Sequence, residues 1–365
     1  MDNLTRDLIQ SGELQRLIEH RGVRGLTTNP AIFQKAIADN ALYDADIEAG
    51  VREGRSVQQI YESLIFKDIR DACDLFRNIY ETSGGVDGYV SIEVPPTIAH
   101  DANATVQEAR RYYQEIGREN IMIKIPGTLS GTEAVEQVIH DGISVNVTLL
   151  FSVPNYVNAA EAYLRGLEGR VAKGQPIDHI ASVASFFLSR IDTRVDEVLH
   201  ERQTTVGTES LNKSARVTSF MGKVAIANAK VAYQKYREMV ESDRWKALAD
   251  KGAKPQRLLW ASTGTKNPAY SDVMYVNELI GQDTVNTLPP ATLEACADHC
   301  EVENRIETDV DKAYKLFENL QDPELDINLD QIMEEVLTDG IDKFVQPYQS
   351  LLESLQKKID RLVPA

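Results

Sequence analysis

Seven short apolar runs, each followed by a stretch of helical periodicity, constrain this chain more than any other feature. They lie at 23–27 (VRGLT), 89–94 (YVSIEV), 121–125 (IMIKI), 144–151 (SVNVTLLF), 180–187 (IASVASFF), 257–262 (RLLWAS) and 284–287 (TVNT). The stretches between them carry helix-start signals. Ser130 and Glu133 are spaced as a capping box ahead of Ala134, Val135, Val138 and Ile139, which share one face, and Gly142 follows as a stop. Thr105 and Glu108 repeat that spacing ahead of Ala109, Tyr112 and Ile116. Pro30 and Pro154 sit just after apolar runs, where a first helical turn accepts proline. Such alternation builds right-handed βαβ units and a parallel sheet. Seven repeats suit a (β/α)8 barrel better than a two-domain doubly wound fold, and no Pro/Ser-rich linker or composition break marks a second domain. The chain 1–365 is therefore expected to form one barrel domain, with a helical insertion at about 36–86 and added helices at about 310–365.

In such a barrel, working groups lie on lumen-facing positions near the carboxyl ends of strands. Polar residues interrupt the runs near those ends: Thr27, Thr28 and Asn29; Glu93; Lys124; Asn146 and Thr148; Ser185; Ser262 and Thr263. One buried polar residue is usually a hydrogen-bonded core group. Parallel strands are otherwise near-continuously apolar, so six interrupted runs together describe a polar pocket at one mouth. Lys124, in the middle of IMIKIP, is its focus. A structural ion pair with Glu93 is the plain reading, yet such pairs seldom stabilise a fold more than apolar packing does. The other reading is a nucleophile, because desolvation favours a neutral lysine amine that can attack a carbonyl and form a Schiff base.

Other chemistries find little support. The chain has no Walker loop, no G-x-G-x-x-G and no H-E-x-x-H. Cys296 and Cys300 around His299 lack the second ligand pair of a zinc site, and no metal or cofactor is expected. All six histidines (His20, His100, His140, His179, His200 and His299) fall in helical or loop contexts, which argues against a His-based triad. A net charge of −17 argues against nucleic acid or an anionic membrane surface as partner. Three cysteines, Cys73, Cys296 and Cys300, are too few for a disulfide framework, and no apolar run approaches the roughly 18 residues of a membrane span. A cytoplasmic location is expected.

The motifs also carry a family resemblance. GLTTNPAIFQKAI (25–37) is similar to the transaldolase signature, and NIMIKIPGT (120–128) resembles that family's second signature, around its Schiff-base lysine. SVNVTLLFS (144–152) and ASVASFFLSRID (181–192) resemble its later strand motifs, and the likeness runs over nearly the whole chain. It is greatest to the longer bacterial members with C-terminal helical extensions. The resemblance implies a TIM barrel and a reaction of the non-oxidative pentose phosphate pathway. In it a dihydroxyacetone unit passes from sedoheptulose 7-phosphate or fructose 6-phosphate to an aldose phosphate. Lys124 matches the lysine that forms the imine, and Glu93 the acid/base that works through a water held by Thr148. Thr27, Asn29, Asn146 and Ser185 match positions around the donor hydroxyls, Arg190 the arginine on the substrate phosphate, and Lys266 a second cation there. A sister fructose-6-phosphate aldolase, or a sugar-phosphate-binding barrel without catalysis, are the alternatives. The aldolase typically carries a glutamine where this chain has Glu93, and its chains are much shorter.

The family's aspartate at the end of strand one matches Asp2 in DNLTRD, and its members begin that strand several residues earlier. The expected fold is thus a (β/α)8 barrel with extra helices and with most of its first strand missing from this chain. Its absence would leave two neighbouring edges unpaired and loosen Asp2. Steady-state turnover is accordingly expected to lie below that of an N-terminally extended version, and equal turnover would refute the expectation.

Overall fold

A computed structural model describes residues 1–38, 40–205, 211–322, 325 and 327–362. Seven strands form one sheet: β1 (Leu26–Thr27), β2 (Val90–Glu93), β3 (Ile121–Pro126), β4 (Val145–Leu150), β5 (Ser182–Phe187), β6 (Arg257–Ala261) and β7 (Thr284–Asn286). They pair in sequence order, and every pair is parallel. Helices fill the connections, so the strands of β2 to β5 are buried on both faces, which is why their sequences read as continuous apolar runs. The curled parallel sheet with its outer helices agrees with the barrel expected from alternation.

Residues 1 and 2 lie between the two ends of the sheet. Asp2 forms an isolated parallel bridge with Thr27, and its N–H donates to the Leu288 carbonyl at 2.8 Å, just past β7. The Thr27 N–H donates to the Met1 carbonyl at 3.0 Å, and the Met1 ammonium donates to the Gly25 carbonyl at 2.9 Å. Burial lowers that ammonium's pKa to about 6, with Asp2 opposing the shift. Met1 and Asp2 therefore join β1 to the end of β7 at one level only. Below them lies a cavity of about 400 Å³ lined by Leu26, Ser91, Met122, Val183, Leu259 and Val285.

Two helix starts differ from expectation. The helix Leu129–His140 is capped by Thr128, whose hydroxyl accepts from the Gly131 N–H, so Ser130 lies inside its first turn. The helix Ala102–Ile116 is capped by Asp101, which accepts from the Ala104 N–H, so Thr105 is likewise interior. In both cases an earlier side chain reaches the orphan N–H groups first. Pro30 and Pro154 do stand in first turns.

The expected insertion contains the helices Asp44–Arg52 and Val57–Thr82, and the chain ends in the helices Val310–Leu320 and Leu329–Leu362. The last of these is 34 residues long and packs on the helix Pro30–Ile37 at the carboxyl mouth of the sheet. Met333, Val336, Gly340, Phe344, Tyr348 and Leu351 make its buried stripe at helical spacing. Gly340 permits the approach, since a Cβ there would stand 3.2 Å from Leu149 and 3.3 Å from Phe151. Near its far end, buried Lys358 donates to the carbonyls of Ile37 and Asn40 (3.3 and 2.7 Å) and pairs with Asp44 at 2.7 Å. No described helix is long and apolar enough to cross a membrane.

The helix Arg6–Gln10 is held to Val57–Thr82 by a buried polar cluster. Arg6 Nε donates to Asp68 Oδ1 at 2.9 Å, and Tyr43 donates to Asp68 Oδ2 at 2.7 Å. Asp68 is 1% exposed and Arg6 3%, and Arg6 has a second partner in half-exposed Asp46 at 2.6 Å. Asp68→Ala leaves Arg6 that one carboxylate and is expected to destabilise the fold by about 1–3 kcal/mol. Tyr43→Phe, which removes the bond to Asp68 and the one the hydroxyl accepts from the Arg6 N–H at 3.2 Å, should cost about 1–3 kcal/mol. Urea unfolding at neutral pH would measure both.

Candidate active site

The carboxyl ends of the strands converge on a cavity of about 140 Å³. Asp2, Thr27, Asn29, Lys124, Thr148, Ser185, Arg190 and Lys266 line it, and Phe187 and Phe344 supply apolar walls. Eight of the ten residues singled out from the sequence thus share one space. Glu93 and Asn146 flank Lys124 at the same level of the sheet, because Glu93 pairs in register with Lys124 and Lys124 with Asn146.

Lys124 is 4% exposed. Its Nζ donates to the Thr28 carbonyl at 2.9 Å and lies 3.6 Å from Glu93 Oε2. The second distance is that of an ion pair and exceeds a good hydrogen bond. Neither Glu93 oxygen has a hydrogen-bond partner within the protein, and burial drives its pKa up from 4.5 to about 7. Lys124 opposes that rise, as does Arg190, while Asp2 adds to it. A carboxyl poised there can both give and take a proton near neutral pH.

The Thr148 hydroxyl is buried and also has no protein partner. It sits on a local distortion: the β4–β5 register shifts between Val147 and Leu150, and Leu149 adopts a left-handed φ of 58°. That conformation costs a non-glycine residue about 1–2 kcal/mol. Asn146 is fixed on two sides, donating to the Ser91 hydroxyl at 3.1 Å and accepting from the Ser185 hydroxyl at 2.6 Å. Thr27 donates to Asp2 Oδ1 at 2.7 Å and meets the Thr287 hydroxyl at 2.7 Å. Asn29 caps the helix Pro30–Ile37 through Oδ1, which accepts from the Ile32 N–H at 3.1 Å. Its amide nitrogen is not used in that bond.

Two cations flank the rim. Arg190 opens the helix Ser189–Thr205, its guanidinium 5.4 Å from the Phe187 ring centroid and 5.8 Å from that of Phe344. Its Nη1 is buried without a hydrogen-bond partner, and burial lowers its pKa. Lys266 is exposed on the segment after β6. A guanidinium donor with no protein acceptor, beside a second cation, suits an anionic group. Among the described residues, no three or more His, Cys, Asp and Glu are grouped to hold a metal ion.

Sequence reasoning missed Phe344 and Thr287. The Phe344 ring centroid is 5.8 Å from Lys124 Nζ, although the two are far apart in sequence. The one hint was Gly340, a glycine inside a helix, which often marks a close approach. Thr287 ends a run read as a strand; it lines the cavity and meets the Thr27 hydroxyl.

Residues 1–355 match the model of the transaldolase/fructose-6-phosphate aldolase family. The chain belongs to this family. It is 62% identical to the transaldolase of Trichodesmium erythraeum over 364 residues, which cover all of this chain and 95% of that one. A transaldolase 2 of a Nostoc species is 64% identical over the same share of each chain. The transaldolase of Saccharopolyspora erythraea is 44% identical over 362 residues, 99% of this chain and 94% of its own. Family membership agrees with the barrel and with the lysine-centred mouth derived above.

Because Glu93 is more basic in the fold than its usual 4.5, it favours folding while protonated and disfavours it once ionised. Its contribution to stability is complete below about 4.5 and is lost as pH rises through about 7. Glu93→Gln should remove this part of the pH profile, so that the variant gains on the wild type between those values. Urea unfolding of both proteins across that range would measure it, and parallel profiles would contradict the assignment.

Proposed function

We propose that this chain is a transaldolase, transferring a dihydroxyacetone unit between sugar phosphates through an imine on Lys124. The observation that carries the reading is the buried amine of Lys124, beside a carboxyl whose pKa lies near neutrality and inside a cavity rimmed by Arg190 and Lys266. Full-length likeness to proteins named transaldolase favours transfer over the aldolase side of the family.

The neutral amine of Lys124 attacks the C2 carbonyl of fructose 6-phosphate or sedoheptulose 7-phosphate, giving a carbinolamine. Glu93, through a water held by Thr148, protonates the departing hydroxyl, and loss of water leaves the iminium ion. The iminium accepts the electron pair of the C3–C4 bond as Asp2 takes the C4 hydroxyl proton. The aldose phosphate leaves and an enamine remains. An acceptor aldose phosphate then reacts with the enamine in the reverse sense, and hydrolysis frees Lys124. Asn29, Asn146, Ser185 and Thr27 orient the donor hydroxyls, and Arg190 with Lys266 holds its phosphate. These cations are local exceptions on a chain of net charge −17, which is a poor match to nucleic acid. We assign it to the cytoplasm, with sugar phosphates as its partners.

Incubation with fructose 6-phosphate and borohydride should attach a reduced dihydroxyacetone unit to Lys124, found by peptide mass spectrometry. Lys124→Met should lose both the adduct and turnover. Glyceraldehyde 3-phosphate should then form in step with transfer to erythrose 4-phosphate. Release of free dihydroxyacetone at the same rate without acceptor would make the chain an aldolase, and no adduct on folded protein would leave a binding barrel.

A further inference from the structure

Lys266 reaches the cavity from an exposed stretch. What fixes the stretch is at its two ends. At the start, Ser262 has a left-handed φ of 55°, its carbonyl accepts from the Ser189 N–H at 3.1 Å, and the two hydroxyls meet at 2.8 Å. Toward the far end, the Tyr270 hydroxyl donates to Asp196 Oδ2 at 2.6 Å, and Asp196 Oδ1 accepts from the Gly222 N–H at 3.0 Å. The Tyr275 hydroxyl donates to Asp192 Oδ2 at 2.8 Å, and Asp192 Oδ1 accepts from the Ala225 N–H at 2.8 Å. Ser189, Asp192 and Asp196 all lie on the helix Ser189–Thr205, the same helix that carries Arg190. Residues 192 and 196 are one turn apart, so both carboxylates face the same way.

The Tyr270 ring also lies directly on Gly222, where a Cβ would come within 2.7 Å of it. Behind this stretch is a cavity of about 370 Å³ lined in part by Asp192, Asp196, His200, Lys266, Tyr270 and Tyr275. An untethered stretch has room to sink into it. Burial also raises the pKa of both carboxyls, that of Asp192 to about 6, so each is held at a cost that a purely apolar strut would avoid.

We propose that Asp196–Tyr270, backed by Asp192–Tyr275, is a clamp that sets the position of Lys266 relative to Arg190 and thereby the grip on the substrate phosphate. These four are positioning residues, and the inference rests on the reading of Arg190 and Lys266 as the phosphate site.

Tyr270→Phe removes one hydroxyl and leaves the ring on Gly222. It is expected to raise KM for fructose 6-phosphate about fivefold, as the loss of one net hydrogen bond would. The kcat should change less than about twofold, and borohydride trapping with unphosphorylated dihydroxyacetone should be unchanged. Asp196→Asn is expected to raise KM in the same direction. Lys266→Ala separates the two levels of the argument. If Lys266→Ala raises KM and Tyr270→Phe does not, the clamp is overturned and the phosphate site stands. Equal losses for phosphorylated and unphosphorylated donors in Tyr270→Phe would make the bond merely structural and also overturn it. If Lys266→Ala leaves KM unchanged, Lys266 is not a phosphate contact and the clamp falls with it. Should Asp196→Asn fail to fold, Tyr270→Phe alone decides.

Discussion

An ammonium and a carboxylate held side by side, away from water, make a demand that everything around them has to meet. Lys124 on β3 and Glu93 on β2 are register partners, their charged groups 3.6 Å apart. The ladder fixes their separation, because parallel pairing in register leaves each side chain one strand spacing from the next. In the mechanism proposed above the nitrogen is neutral when it attacks and cationic again in the iminium, so the carboxyl must tolerate a counter-charge that comes and goes. A pKa near neutrality lets it do so by taking up a proton. The same burial that makes the pair expensive makes it responsive.

The other polar groups are arranged so that few of them answer to this pair. Asn146 is held by Ser91 and Ser185, and Thr27 by Asp2 and Thr287. Both Glu93 oxygens, the Thr148 hydroxyl and one Arg190 nitrogen are left with hydrogen-bonding capacity. Buried polar groups normally find partners, so four such atoms gathered at the carboxyl mouth of the sheet identify it as a place built for something else to complete. The left-handed Leu149, next to Thr148, adds backbone strain at the same spot.

Much of this was legible in the sequence because a parallel barrel forces apolar strands, and a polar residue in such a strand stands out against them. Six of the seven strands lie within the runs that predicted them and β3 passes its run by one residue, to Pro126; Lys124, Glu93, Asn146, Thr148 and Ser185 all interrupt those runs. The roles given to them came from family resemblance, since an interrupted run says that a group is polar and inward but not what it does. Local capping signals were less dependable. Ser130 and Thr105 had the right spacing, yet Thr128 and Asp101 lay where the chain leaves the strand and turns, and they capped the helices. Phe344 was not legible, because its place over Lys124 depends on how a distant helix docks. Nor was the tie from Tyr270 to Asp196, which joins two loops and helices that no local pattern relates.

The docking of the helix Leu329–Leu362 has a consequence for what closes the site. Gly340 and Phe344 bring that helix onto the ends of β4 and the start of the helix bearing Arg190, and Lys358 pins its far end beneath Pro30–Ile37. Without this wall Lys124 would lose the ring beside its amine, and Arg190 would keep only one of its two aromatic neighbours. The strands carry the polar groups, and a helix outside the sheet supplies the roof over them.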